Sequence, residues 1–240
     1  MNLGIFNAPV WLHWKSYGSD LNMLKNILKI ALGCRKRGVV FMPYSAKHKE
    51  KTRAKIVETA RILFNRHGFQ KVTIDMVMTG TGLTRGGFYN HFKTKEDLFN
   101  EAVSSFLMGR GAKWRSDAGI DLTDLKPEMA QHMIDAYLSV KHLGDLDGQC
   151  PMIALPSDVA RADKSTQESF QRLLEAMVWL FETNMQPQSE SSRQDAQSIA
   201  ALCIGGMVLA KALPDSDLAE GIREAAYSTA TKLFQDRSVR

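Results

Sequence analysis

The residues whose types and spacing could do chemistry gather in one stretch, Thr73 to Lys95, reading TIDMVMTGTGLTRGGFYNHFKTK. An apolar-periodic segment (Ile74, Val77, Met78) runs into the turn Gly80-Thr81-Gly82. A second short segment of small, polar, basic and aromatic residues follows. This is the order of a helix-turn-helix, in which one helix braces another that is laid into a DNA groove. The chemistry on offer is charge and hydrogen bonding rather than bond breaking. An enzyme of small-molecule metabolism would need paired carboxylates, a nucleophile with its base or a cofactor loop, and the sequence offers none. No cofactor is expected. Cys34, Cys150 and Cys203 lie far apart, without the spacing of a metal site.

The elements that must position this stretch are helical. From about Lys49 to His67, Ile56, Val57, Ala60, Leu63 and Phe64 repeat at helical spacing, and Gly68 is placed to end the helix. Thr73 is a good N-cap for a second helix ending near Thr79, with Asp75 favouring its first turn. Leu83 is expected to face inward and Thr84 to cap the third helix. Gly86 and Gly87 are each disfavoured in a helix by roughly 1 kcal/mol relative to Ala, and close approach of backbone to DNA is the reason offered for them. Phe88 and Phe92, four apart, should point to the core. Thr94 and Asp97 have capping-box spacing for a fourth helix running towards Trp114, and Lys95 at its start makes a phosphate clamp.

Charge divides the chain of 240 residues. Lys47 to Asp97 holds 11 Lys and Arg against 5 Asp and Glu, and Met1 to Phe41 holds 6 against 1. The rest, from Leu98, holds 14 against 20. A basic module ahead of an acidic body suggests a polyanion-binding part joined to a part with another task. The basic arm Lys47 to Lys55 is expected to add nonspecific attraction to phosphates. An odd cysteine count without a framework fits a reducing cytoplasm. No apolar run, with Lys29 and Lys211 as breaks, approaches the length of a membrane span, so no membrane partner is expected. Leu21 to Leu32 has helical periodicity, but MPYSAKHKEKTR from Met42 reads as a natural beginning. Residues 1–41 are therefore expected to be a mis-assigned extension or an unstructured tail.

The body reads as helices between breakers: Lys126 to Leu143, a short segment from Cys150-Pro151 to about Ala162, Ser165 to Met185, Asp195 to Ala212, and Leu218 to Phe234. No strand pattern or internal repeat appears, so the expected fold is all-α. His132 and His142 read as exposed. Cys150 stands at a loop–helix junction, where a thiol can be activated, so a protein sensing electrophiles or oxidants through Cys150 is an alternative; a small buried residue is the plainer reading.

The segments RAKIVETARILFNRHGFQKVTI, GLTRGGFYNHF and KTKEDLF, spanning about Lys49 to Leu107, resemble the DNA-binding domain of the TetR/AcrR family of bacterial transcriptional regulators. The resemblance implies a three-helix DNA-binding domain over 42–100, and a helical effector-binding and dimerisation bundle over 101–240. By that resemblance Thr73, Thr84, Arg85, Gly87, Tyr89, Asn90 and His91 line the DNA face, with Thr73, Tyr89 and His91 mainly on phosphates. Lys95 clamps the backbone. Arg85 is placed for a base contact, since Arg bonds guanine bidentately; Asn90 departs from the aromatic residue many members carry. The family also implies a small-molecule effector of unstated identity, with Trp114, Met133, Tyr137, Cys150, Met152, Met177 and Trp179 as candidate lining. It implies a homodimer, here through about 165–185 and 195–212. The expected function is a sequence-specific repressor released by its effector from a palindromic operator. A nonspecific DNA-coating protein is the alternative of another class.

Overall fold

In a computed structural model of the chain, the structure describes residues 43–123, 126–185 and 191–238. The expectations for residues 1–41, for the Met42 start and for a helix at Leu21 to Leu32 lie outside these. The chain divides into Met1–Ala46 and Lys47–Arg240, and all packing below belongs to the second unit.

The first helix, α1 (Pro43–Lys71), breaks its helical geometry at Gly68, whose φ of 75° and ψ of 164° are open only to glycine. Gly68 also lies under Asp158, whose Oδ2 would stand 3.2 Å from an added Cβ. Helix α2 (Ile74–Thr81) starts where Thr73 caps it, the Thr73 hydroxyl accepting from Met76 N–H, and stops at left-handed Gly82. Helix α3 (Arg85–Phe88) is a single turn, continued to Phe92 by turns closed through His91 N–H to Phe88 O and Phe92 N–H to Phe88 O. Thr84 occupies its N-cap without a side-chain bond. Helix α4 (Lys95–Ser104) opens with the full Thr94/Asp97 capping box.

Two expected long helices are broken. The fourth stops at Ser104, because the chain turns tightly over Phe106: an added Cβ on Gly111 would meet that ring at 2.8 Å. A separate α5 (Arg110–Asp117) carries Trp114. The helix expected over Lys126 to Leu143 becomes α6 (Pro127–Tyr137) and α7 (Val140–Gly144), since Ser139 caps α7 by accepting from His142 N–H. After α8 (Pro151–Ala154) and α9 (Pro156–Ala160) come the long α10 (Lys164–Asn184), α11 (Ser192–Ala212) and α12 (Asp217–Ser238).

The described residues are all helix and connecting turns, as the periodicity predicts. One continuous core runs from Ile56, Phe64, Phe88 and Phe99 near the N-terminus to Leu173, Phe181, Met207 and Ala230. Phe64, Phe69 and Phe99 stack around one another, with centroids 4.8 to 5.9 Å apart. Helix α11 corrects the statement about membrane-length runs. It has the length and composition to cross a bilayer, as a core helix can, and it packs against α10 and α12, burying Ile199, Ala200, Cys203 and Met207.

Candidate nucleic-acid interface

Phe88 and Phe92 are 0% and 4% exposed and hold the turn at Arg85–Phe92 against the core. Their burial leaves the residues between and before them facing outward. Thr84, Arg85, Gly86, Tyr89 and Asn90 are exposed, as is Thr73 at the start of α2, while Gly87 and His91 are half-buried. The residues expected on the DNA face are thus exposed or half-buried around a braced element. Leu83 departs from expectation: it is 38% exposed and joins Met76 and Tyr89 as accessible apolar surface here. Its place after left-handed Gly82 turns it away from the core.

Several cations assigned to phosphate from sequence are turned inward. The Lys95 ammonium donates to Phe69 O at 3.0 Å and Val72 O at 3.1 Å, and lies 4.1 Å from the Phe69 ring centroid. It closes the carbonyl end of α1 onto α4 and is not the free clamp that its position at a helix start suggested. Lys55 donates to Thr81 O at the end of α2. Arg53 pairs with Glu101, donates to His91 O and lies over the Phe92 ring. Lys47, Lys49 and Lys51 remain exposed. The His91 ring keeps Nδ1 buried and without a partner; burial first, then Lys49 and Arg53, hold its pKa below the usual histidine value, so the ring is neutral near pH 7.

One neighbour of Arg85 was missed. Asp75 Oδ2 accepts from Arg85 Nη1 at 2.6 Å, an ion pair with both side chains more than half exposed. Asp75 and the Tyr89 hydroxyl keep the guanidinium firmly charged. In the sequence Asp75 looks only like a first-turn acid; ten residues and a turn separate it from Arg85.

In the body, the residues named as pocket lining are core. Met133, Tyr137, Cys150, Met152 and Met177 are all 6% exposed or less, and Trp114 and Trp179 are partly buried against them. Trp114, Tyr137 and His142 form a ring cluster with centroids 5.0 to 6.1 Å apart. His142 is therefore buried, contrary to the surface reading, with Nδ1 2.8 Å from Tyr137 O and a pKa lowered mainly by burial. An open groove of about 470 Å³ lies elsewhere, between α6 and α12, where Asp135, Leu138, Arg223 and Tyr227 line it. Cys150 is 4% exposed and burial pushes its thiol up to about 11, the reverse of an activated thiolate, which removes the basis for the thiol-sensing alternative. Among the described residues no cluster of His, Cys, Asp or Glu could hold a metal ion.

Part of the chain matches known proteins in sequence, and its body matches them in fold. Residues 56–102 match the family model described as bacterial regulatory proteins, tetR family. The chain is 37% identical over 60 residues to the uncharacterized HTH-type transcriptional regulator YfiR of Bacillus subtilis, covering 25% of this chain and 29% of that protein. It is 43% identical over 51 residues to the probable acrEF/envCD operon repressor of Escherichia coli K12, covering 21% and 23%. The matched segment thus spans under a third of either relative's length. At the level of fold, a TetR transcription regulator from Haloarcula marismortui superposes with a TM-score of 0.61 at 18% identity, over 78% of this chain and 98% of that one. The chain is thus similar in sequence to the tetR family over its helix-turn-helix, residues 56–102, and its helical body shares the fold of a TetR regulator.

Proposed function

We propose that the chain is a homodimeric, ligand-responsive repressor that acts in the cytoplasm, with 42–100 reading a palindromic operator and 101–240 binding the effector and the partner subunit. The observation that carries this reading is the exposure of Arg85, Tyr89 and Asn90 on one short element held by the buried Phe88 and Phe92. Thr73, Thr84, Gly87 and His91 complete the DNA face. Lys95 enters as a brace joining α1 to α4, so its effect on DNA is indirect. Two such elements, one per subunit, meet successive major-groove faces about 34 Å apart.

For the dimer, helix 195–212 keeps its place and α12 replaces 165–185. Helix α10 offers solvent mainly Gln167, Glu168, Gln171 and Glu175. Ala201 and Leu209 on α11, and Leu218, Gly221 and Ala225 on α12, are exposed apolar or small residues suited to another helix pair. The effector acts by linkage: a ligand favouring the subunit spacing that misfits the operator weakens DNA, and DNA weakens it, by about 1–3 kcal/mol.

Selecting genomic fragments with the purified protein tests the reading. Recovery of a two-fold symmetric site bound far more tightly than random duplex is expected; equal affinity for all sequences would leave only nonspecific coating of DNA.

A further inference from the structure

The ion pair between Asp75 and Arg85 is hard to explain as a stabiliser. Both side chains are more than half exposed, and exposed pairs contribute little. Helix α2 already has Thr73 as its cap. On a face that meets phosphates, a carboxylate also repels the ligand. Its effect must be sought in what it does to its partner.

Arg85 has a long flexible stem and stands first in α3. Left to itself it can swing to a phosphate, a contact that carries no sequence information. Reading guanine needs the planar fork held edge-on to O6 and N7. Asp75 takes Nη1 at 2.6 Å and so anchors one end of the fork from α2. The anchor comes from a different element than Arg85 itself, so it restricts where the fork can swing.

We infer that Asp75 is a specificity-determining positioning residue, whose carboxylate holds the Arg85 guanidinium for a guanine edge and keeps it off the phosphates. This rests on the operator-reading function proposed above. It implies that removing Asp75 exchanges specificity for nonspecific affinity, which loss of a merely structural contact does not do.

The test uses the full chain, the operator that it selects, single base-pair variants of that operator, and a random duplex. Arg85→Ala first identifies the base pair at which discrimination depends on Arg85. Asp75→Ala is then expected to bind the random duplex several-fold more tightly at low salt. It should lose about two- to five-fold of the discrimination at that same base pair, the scale of one exposed pair. Asp75→Asn, which keeps an oxygen acceptor in place, should fall between. The double variant should discriminate no worse than Arg85→Ala alone, because the two act as a unit. A uniform gain on all DNA with discrimination intact would overturn the inference, leaving Asp75 as a bare charge, and so would a change at a different base pair. Unaltered thermal melting of the variants keeps folding out of the comparison. Wild-type protein without any sequence preference would bring down the operator reading itself, and is recognised before any variant is made.

Discussion

Asn65 on α1 donates from Nδ2 to the carbonyl oxygen of Gln149 at 2.8 Å, inside the core and across 84 residues of sequence. The Gln149 side chain is fully buried and completes the junction. Its amide nitrogen faces His142 O and Leu143 O at the end of α7, and its oxygen accepts from Lys211 at the end of α11. The helix that braces the proposed reading element is thereby tied to the helix proposed to meet the partner subunit. Arg66 to Asp147 adds an exposed ion pair at the same loop.

Asn65→Leu should lower stability by about 1–3 kcal/mol, because it strands a buried carbonyl oxygen. Gln149→Ala should do likewise by leaving the half-buried Lys211 ammonium without its acceptor. Urea denaturation reads both. Shifts under about 0.5 kcal/mol, the scatter of surface changes, would mean that the junction contributes little.

Lys95→Met keeps an apolar stem over Phe69 but removes both bonds to α1. A brace predicts lower stability, by about 1–2 kcal/mol, with the salt dependence of DNA binding nearly unchanged. A phosphate clamp predicts unchanged stability and a slope of log K against log salt reduced by about 0.9. Denaturation and binding titrations across a salt series separate the two.

Gly205 and Gly206 are adjacent and should behave oppositely. An added Cβ on Gly206 would lie 2.5 Å from Ala226 Cβ on α12, so Gly206→Ala must part the two helices; a loss of about 1–3 kcal/mol is expected. Gly205 faces open space, so Gly205→Ala should keep the fold and gain up to about 1 kcal/mol in helix propensity. If α11 meets the partner there, the same variant should weaken dimerisation. Denaturation and sedimentation measure the two effects, and an unchanged dimer constant would place the interface away from Gly205.

Stability should decline at both ends of the pH scale. Burial raises the Cys150 thiol from 9.0 to about 11 and also raises Cys203 and Tyr137. A raised folded pKa stabilises fully below the unfolded value, so this contribution is lost as pH rises from about 9 through 11. The buried His142 has a lowered pKa, so its contribution is present above the usual histidine value and lost as pH falls through and below about 6.5. Denaturation midpoints at pH 5, 7.5 and 10.5 should show both losses, with Cys150→Ala flattening the alkaline side. In a Cys34→Ser background, native protein at pH 8 should react with a thiol reagent only at the rate of unfolding.

By itself the sequence determined what depends on near neighbours. Helical periodicity placed the core faces; Thr73, Thr94 and Asp97 marked helix starts; and Phe88 to Leu98 carried the family pattern, because caps and turns are set within a few residues. The tertiary structure decided what depends on distant partners. It turned the ammonium of Lys95 and the guanidinium of Arg53 inward, buried His142 and Cys150, and exposed Leu83. It also set Asp75 against Arg85 across a turn. A lysine reads alike in sequence whether it meets a phosphate or a buried carbonyl. Which one it meets depends on how α1, α2 and α4 pack, and side-chain charge alone does not encode that.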